Sequence, residues 1–432
     1  MGLTGVSNSR SVEYLLRTTL MHTSRSIWPV QRSKMHSVAT LVPDRYQMRA
    51  SSLRLHVKSA VAEQHRWNTL QASEALQHTF GLSASGQHIT MPSDAGEQYM
   101  IRPCASVQEV ETIWWPFMQN LGWNRSSYDL ATYIGCSKSK MLLVIPKSTG
   151  RPEGHIQATI YDNSTGWVAM FIMDAAHRGL GLGRQLFQAC MDEFARDGTR
   201  YVGLDAVAEQ KRTYERRGFV ESSLGLVKCF SRELPSMRPL ETHAEPSNGL
   251  KLVDIKEIPN NLLVQSDLAH TGFERSQLWT DDYKARPDVF GYAVVDSEQP
   301  QTKPAHLVSW TTVRRCSQGY RFGPLYARDV DSARVVLAAA MKKATPGRLK
   351  ESPLRNDPLS EAPESDISER AQLAVEVWSG NPTAERVFED LGWKKVGVNY
   401  HRMWLGGQPT PEQDEGGLAH HGMFAVFDAA IG

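Results

Sequence analysis

The stretch from Phe171 to Gly183 constrains the fold most strongly, because it joins three kinds of local structure in a fixed order. An apolar strand, Trp167 to Met173, runs into Arg178-x-x-Gly181-x-Gly183, and the amphipathic run Arg184 to Arg196 follows directly. Backbone N–H groups in such a turn converge on one concavity, and the N-terminus of the next helix adds a positive dipole end. The order of strand, glycine turn and helix therefore predicts an anion-binding site.

The spacing of this loop excludes two common phosphate-binding motifs. A P-loop requires Gly-Lys-Ser/Thr, whereas Gly183 is followed by Arg184 and Gln185. The dinucleotide-binding loop requires G-x-G-x-x-G, whereas Gly179, Gly181 and Gly183 recur at every second position. For this hexapeptide alone, a glycine-rich turn without a ligand remains an open alternative.

Motifs on both sides of the loop strengthen the functional interpretation. A second apolar strand, Tyr201 to Val207, follows the loop helix, and Tyr214-x-x-x-Gly218-Phe219 follows that strand. Upstream, Gly122-Trp123-Asn124 precedes Asp129. In this order the motifs resemble the GNAT N-acetyltransferases, whose pyrophosphate loop reads Arg/Gln-x-x-Gly-x-Gly/Ala. The resemblance covers about residues 98 to 432.

The composition is that of a globular chain with two or three domains. The 432 residues carry a formal net charge of +1, which indicates no nucleic-acid partner. No run reaches the 18 apolar residues of a membrane span, so no membrane partner is predicted. The five scattered cysteines form no C-x-x-C pair, which fits reduced intracellular thiols, and we predict no metal site.

The N-terminal segment differs from the rest of the chain. Its first 60 residues hold nine Lys and Arg but only Glu13 and Asp44 as acids, which is typical of a mitochondrial transit peptide. An inert disordered tail or an over-extended reading frame is the alternative. We favour the alternative, and with it a cytoplasmic protein with a disordered leader over residues 1–95.

The chain after the leader repeats itself. The pattern β-α-β-β-β-α-β-α-β over residues 96–231 resembles the GNAT order and predicts the catalytic domain. A proline-rich linker is expected over 232–248, and the pattern then begins again as a C-terminal GNAT-like domain over 249–432. Within it, residues 346–370 are predicted to be a disordered insertion. The predicted fold class is therefore α/β, with a mixed (α+β) sheet and two GNAT-like domains in tandem.

The second copy lacks the residues that the resemblance assigns to chemistry. It ends on Phe388-x-x-x-Gly392-Trp393, where Phe388 replaces Tyr214, and Gly323-Pro324 stands near the place of the missing loop. We expect this copy to keep the fold without binding CoA. The first copy departs from the family in turn, because Val207 and Gln210 occupy positions where many members have Asn and Ala, which puts its helix geometry in doubt.

The resemblance implies that the protein transfers an acetyl group from acetyl-CoA to a primary amine. It implies that backbone N–H groups of about Ile172 and Met173 bind the thioester carbonyl, and that Tyr214 is the general acid. The pyrophosphate is expected to bind at Arg178, Gly179, Leu180, Gly181, Leu182 and Gly183.

The general base is not fixed by the sequence. Asp205, Glu153 and Asp129 are candidates, as is a chain of water molecules. Asp205 is slightly favoured as a catalytic residue, because an unpaired carboxylate is unusual in the middle of an apolar strand. A structural hydrogen-bonding role for Asp205 remains the stronger alternative.

The amine acceptor and the oligomeric state cannot be read from the sequence. Trp114, Trp115, Trp123 and Trp167 are candidates to line a pocket for a small amine, although filling the core is the commoner role for such residues. A small molecule is favoured over a histone tail. A non-catalytic acetyl-CoA-binding or sensing protein with the same fold is the alternative function.

Overall fold

Residues after the leader form strands and helices in the order that the sequence predicts. The computed structural model describes residues 89–92, 97–136, 138–234, 246–247, 249–351 and 370–432. The transit-peptide prediction falls outside these residues. The elements of the N-terminal half are β1 (Ile89–Pro92), β2 (Gln98–Pro103), α1 (Val107–Leu121), α2 (Ser127–Ile134), β3 (Lys140–Pro146), β4 (Gly154–Ile160), β5 (Thr165–Met173), α3 (Leu182–Asp197), β6 (Tyr201–Val207), α4 (Lys211–Glu215) and β7 (Phe219–Glu233).

The second half repeats the strand and helix order. One difference from prediction is α8, which occupies the start of the expected insertion because Leu349 packs into the core with 1% exposure. The elements of the C-terminal half are β8 (Leu250–Asp254), α5 (Asn260–Thr271), α6 (Asp281–Ala285), β9 (Val289–Asp296), β10 (Leu307–Cys316), β11 (Gly319–Ala327), α7 (Val330–Lys343), α8 (Pro346–Glu351), β12 (Gln372–Trp378), α9 (Ala384–Asp390), β13 (Lys394–Leu405), α10 (Ala419–Gly422) and β14 (Met423–Ala425).

Local capping signals set the ends of the first two helices. Ser106 caps α1 by accepting a hydrogen bond from the Glu109 amide at 3.2 Å, and Gly122 ends α1 in a left-handed conformation. Ser126 and Asp129 form a complete capping box at the start of α2. The strand β1 lies inside the predicted leader, where it pairs with β2.

A single mixed sheet runs through the described residues of both halves. Its strand order is β1-β2-β3-β4-β5-β6-β13-β7-β12-β14-β11-β10-β9-β8. The halves exchange strands at the centre: β13 lies between β6 and β7, whereas β7 pairs with β12. Each half therefore completes its sheet with a strand from the other.

Apolar side chains cover both faces of the sheet. On one face of the N-terminal half, α3 packs Leu186 and Phe187 against β-strand residues such as Ile156. On the opposite face, α1 and α2 contribute Trp114 and Tyr133 to a second cluster, which continues into the C-terminal half. No helix in the described part of the chain is long and apolar enough to cross a bilayer.

Candidate active site

The loop after β5 presents a row of backbone N–H groups at the start of α3. Gly181 is the N-cap of α3, adopts a left-handed φ of +77°, and offers no side chain to cap the helix. The amides from Gly179 to Gly183 donate no hydrogen bond to any group in the described chain. Free amides at a helix N-terminus, together with the helix dipole, are suited to bind an anion such as phosphate. All six predicted loop residues lie in this turn.

Arg178 and Gly183 fix the loop against the end of β5. The Nε of Arg178 donates a hydrogen bond to the Met173 carbonyl at 3.0 Å. At Gly183, an added Cβ would lie 3.4 Å from the ring of Phe171, an ordinary van der Waals contact, so the start of α3 packs directly on β5. The loop therefore lies beside Ile172 and Met173, whose backbone N–H groups are predicted to bind the thioester carbonyl.

Strands β5 and β6 separate next to this loop. They pair in parallel only over Thr165–Trp167 and Tyr201–Gly203, after which β6 pairs with β13 on its other side. On its other edge, β5 stays paired with β4 up to Met173, around a bulge at Met170 with φ of +50°. In the described sheet, the edge of β5 that faces β6 therefore has no strand partner at Ile172 and Met173.

Tyr214 lies on α4, where aromatic side chains pack on its ring and its hydroxyl has no hydrogen-bond partner among the described residues. The ring centroid lies 5.9 Å from that of Phe187 on α3 and 6.4 Å from that of Phe219 on β7. Within the described residues, the hydroxyl makes no protein hydrogen bond. Burial raises the pKa of Tyr214 to about 12, so the phenol stays protonated at neutral pH. Its chemistry fits a proton donor.

Three arginines form a positive strip beside α4. Burial lowers the pKa of Arg217, and the neighbouring charges of Arg216 and Arg184 lower it further. Arg184 lies in the first turn of α3, so the strip extends from the anion loop towards Tyr214. The sequence analysis missed this strip, although Arg216 and Arg217 are adjacent in the sequence and Arg184 directly follows the glycine loop.

Asp205 is engaged in a buried ion pair rather than directed at the site. Its carboxylate accepts hydrogen bonds from Arg402 at 3.0 and 2.7 Å, and both side chains are fully buried. Arg402 also donates to Gln413 at 2.7 Å and lies over the rings of Trp167 and Trp378. Because both carboxylate oxygens accept hydrogen bonds from Arg402 of β13, this geometry favours the structural alternative for Asp205 over the role of general base.

The other two carboxylate candidates also have side-chain partners of their own. Asp129 is 2% exposed, caps α2, and lies 3.6 Å from the Nε of Arg314. Glu153 is partly exposed, with an oxygen 3.8 Å from Nδ1 of His177, which also lies 3.7 Å from Asp174. This triad is the one cluster of histidine and carboxylates in the described chain compact enough for a metal, and we assign no metal to it.

The corresponding turn in the C-terminal half carries a carboxylate at the N-terminus of its helix. The side chain of Asp329 caps α7, where its Oδ1 accepts hydrogen bonds from the amide and the hydroxyl of Ser332, each at 2.8 Å. The carboxylate thus occupies the helix N-terminus that Gly181 leaves open in the first half. A cavity of about 320 Å³ beside it is lined by acids, which would repel phosphate. These acids are Asp296, Glu298, Asp329 and Asp331.

A mixed sheet with a separated strand pair beside a glycine-rich anion loop defines a fold of the acyl-CoA acyltransferase class. Residues 118–230 match the family model described as an acetyltransferase (GNAT) domain, so the chain contains a GNAT domain, a fold family that uses acyl-CoA. The mixed α/β fold class predicted from the sequence is confirmed.

Relatives of known name agree with this assignment. The chain is 22% identical over 198 residues to the holothin acyltransferase of Pseudoalteromonas sp. (strain SANK 73390), a match that spans 45% of this chain and 60% of the relative. Among solved structures, it is similar to an acetyltransferase from Pyrococcus horikoshii, with a TM-score of 0.54, 16% identity, and 77% and 96% of the two chains covered. A tandem GNAT protein from the clavulanic acid biosynthesis pathway aligns with a TM-score of 0.47 and 12% identity over 76% and 100% of the chains.

Proposed function

We propose that this protein is an N-acetyltransferase that moves the acetyl group of acetyl-CoA to a primary amine of a small molecule. The observation that carries the proposal is the uncapped start of α3, where the amides from Gly179 to Gly183 face no protein acceptor. This feature is specific to the first half, because Asp329 fills the same place in the second.

Different groups of the site bind the phosphates, bind the thioester carbonyl and donate the proton. The loop amides and the arginine strip hold the phosphates of CoA, and the free edge of β5 at Ile172 and Met173 binds the thioester carbonyl. Each N–H donor aimed at a developing oxyanion lowers the activation free energy by about 3 kcal/mol. Tyr214 gives its proton to the departing thiolate. The amine attacks the carbonyl carbon directly, so no acyl-enzyme is needed.

Two features favour a small acceptor. The named relative is an acyltransferase for holothin. In this chain, a cavity of about 170 Å³ lies between the end of α1 and the β10–β11 hairpin, with Trp115 and Trp123 in its wall. Its size suits part of a small molecule.

Calorimetric titration with CoA tests the binding half of the proposal. Gly181→Glu places a carboxylate in the loop, where it repels phosphate, so we expect its affinity for CoA to fall at least 100-fold. The matched control is Gly150→Glu, because Gly150 also has a positive φ, of +62°, and no atom within 4 Å of an added Cβ. Equal affinity in the two variants would contradict the proposal.

Release of free thiol from acetyl-CoA tests the catalytic half. Polyamines, amino acids, aminosugars, arylamines and a lysine peptide are offered to the wild-type protein. We expect turnover with at least one small amine and none with the peptide. Tight CoA binding without any turnover would favour the non-catalytic acetyl-CoA-binding protein instead.

A further inference from the structure

His155 is a buried polar residue that the mechanism so far does not use. It lies on β4 with 0% exposure. The Met170 backbone carbonyl is close enough to act on its pKa, but neither ring nitrogen makes a well-formed hydrogen bond within the described chain. The ring packs on Phe117 of α1, with centroids 5.6 Å apart. A buried polar group whose hydrogen bonds are not made destabilises the fold, so an apolar residue would stabilise this position better. The retained imidazole therefore points to a ligand.

The position of His155 is tied to the end of β5. It lies directly opposite Ile172 in the antiparallel pair, and opposed side chains in such pairs have Cβ atoms about 5 Å apart. Gly154 permits this approach, because a Cβ there would lie 3.0 Å from the Ile172 carbonyl oxygen. The imidazole thus stands beside the strand segment that we propose binds the thioester.

Gln157 adds a second unpaired acceptor on the same face of β4. Its Nε2 donates to the Tyr133 carbonyl at 2.7 Å and to the Thr159 hydroxyl at 2.9 Å, while its Oε1 is buried without a partner. Residues two apart on a strand share a face and are about 6.6 Å apart. The site offers two acceptors, the unprotonated nitrogen of His155 and Oε1 of Gln157, and an amine is a group that donates N–H hydrogen bonds to such acceptors.

The protonation state of His155 also suits a proton acceptor on this face of the sheet. Burial lowers the pKa of His155 to about 4, while the Met170 backbone carbonyl acts in the opposite direction. The imidazole is therefore neutral at pH 7, with one nitrogen carrying hydrogen and the other able to accept. Tyr214 packs with α3 on one face of the sheet and His155 packs on α1 on the other, so the two groups lie on opposite faces of the strands that border the proposed thioester site.

We propose that His155 is the proton acceptor for the incoming amine, and that Gln157 helps to bind it. An alkylammonium must lose two protons to become an amide. His155 takes one before the C–N bond forms and later releases it to water. The second leaves the nitrogen to solvent as the C–S bond breaks, while the sulfur departs with its electron pair and takes the proton of Tyr214, which solvent restores.

The test rests on the proposed function and uses the best alkylamine from the thiol-release screen. Its partner is the aminooxy isostere, in which oxygen replaces the methylene next to nitrogen; phenethylamine and O-benzylhydroxylamine are such a pair. The alkylamine has a pKa of about 10 and needs a base, whereas the aminooxy compound is neutral at pH 7. Wild-type protein that binds CoA but acetylates no amine would contradict the proposed function itself.

His155→Phe keeps the ring volume and removes the acceptor. We expect kcat for the alkylamine to fall about 100-fold or more, with less than a tenfold loss for the aminooxy isostere and unchanged CoA affinity. Phe117→Leu, which alters only the packing on the imidazole, should affect both acceptors equally and weakly. Equal losses for both acceptors in His155→Phe, or no loss with the alkylamine, would overturn the proposal.

A second variant keeps the test decisive if His155→Phe fails to fold. His155→Gln retains an acceptor oxygen but cannot take a proton at neutral pH. We expect its KM for the alkylamine to stay near that of wild type while kcat falls. Wild-type kcat in this variant would show that binding, not proton transfer, is the role of His155.

Discussion

Replacement of Asp205 by alanine separates a structural role from a catalytic one. In the structure, both oxygens of Asp205 hold Arg402 across the β6–β13 pair, which is where the two halves exchange strands. Asp205→Ala leaves a guanidinium buried without its counter-charge. Breaking a buried pair in this way typically costs 3–5 kcal/mol.

The remaining contacts of Arg402 reduce that cost. Gln413 still accepts one hydrogen bond at 2.7 Å, and the rings of Trp167 and Trp378 lie 4.8 and 5.0 Å from the guanidinium carbon. Cation–π contacts contribute about 2 kcal/mol where they are desolvated, and they persist in the variant. We therefore expect a destabilisation at the lower limit, about 3 kcal/mol, which lowers Tm by about 3–4 °C in a chain of 432 residues.

Differential scanning calorimetry and thiol release measure the two roles independently. The control is the double variant Asp205→Leu with Arg402→Met, which removes both charges and should recover most of the lost stability. At a temperature well below Tm, we expect kcat of Asp205→Ala to stay within tenfold of wild type. A Tm change below 1 °C together with a 1,000-fold loss of kcat would refute this reasoning and restore Asp205 as the base.

Three further predictions follow from the fold and the site. Tyr214→Phe should lower kcat by about 10²–10⁴-fold, with little change in CoA affinity or Tm, because its hydroxyl makes no protein hydrogen bond; full activity would leave water as the proton source. Titration of the wild-type chain should give one CoA per chain, because Asp329 caps the second helix, and a value near two would contradict this. A chain that ends at Leu234 and a chain that starts at Ser247 should each fail to unfold cooperatively when studied alone, and the two should form a 1:1 complex when they are co-expressed. Cooperative melting of either chain alone would argue against strand exchange.

Features set by neighbouring residues could be predicted from the sequence. The turn at Gly181 and the start of α3 depend on glycine conformation and on a short apolar strand, both visible in about a dozen residues. The α1 cap at Ser106 is equally local. These signals, with the family resemblance, identified the anion loop and the order of elements around it.

Features that depend on distant residues could not be predicted. Asp205 and Arg402 are 197 residues apart, and each looks like an isolated charge in an apolar strand until the strands are paired. The sequence interpretation therefore favoured Asp205 slightly among the candidate bases, with a structural hydrogen-bonding role as the stronger alternative, and it could not name Arg402 as the partner. His155 was not singled out, because its lack of partners depends on α1 and β5, which no local pattern reports.

The strand exchange also explains how a second half without the anion loop can matter for the chemistry of the first. β6 separates from β5 after Gly203, and from there on it pairs through its other edge with β13, whose Arg402 binds Asp205 of β6. The gap between β5 and β6, where the thioester would bind, is thus bordered by a strand that the C-terminal half supports. A half that holds this strand needs its sheet and its core, but it needs neither a glycine loop nor a tyrosine at Phe388.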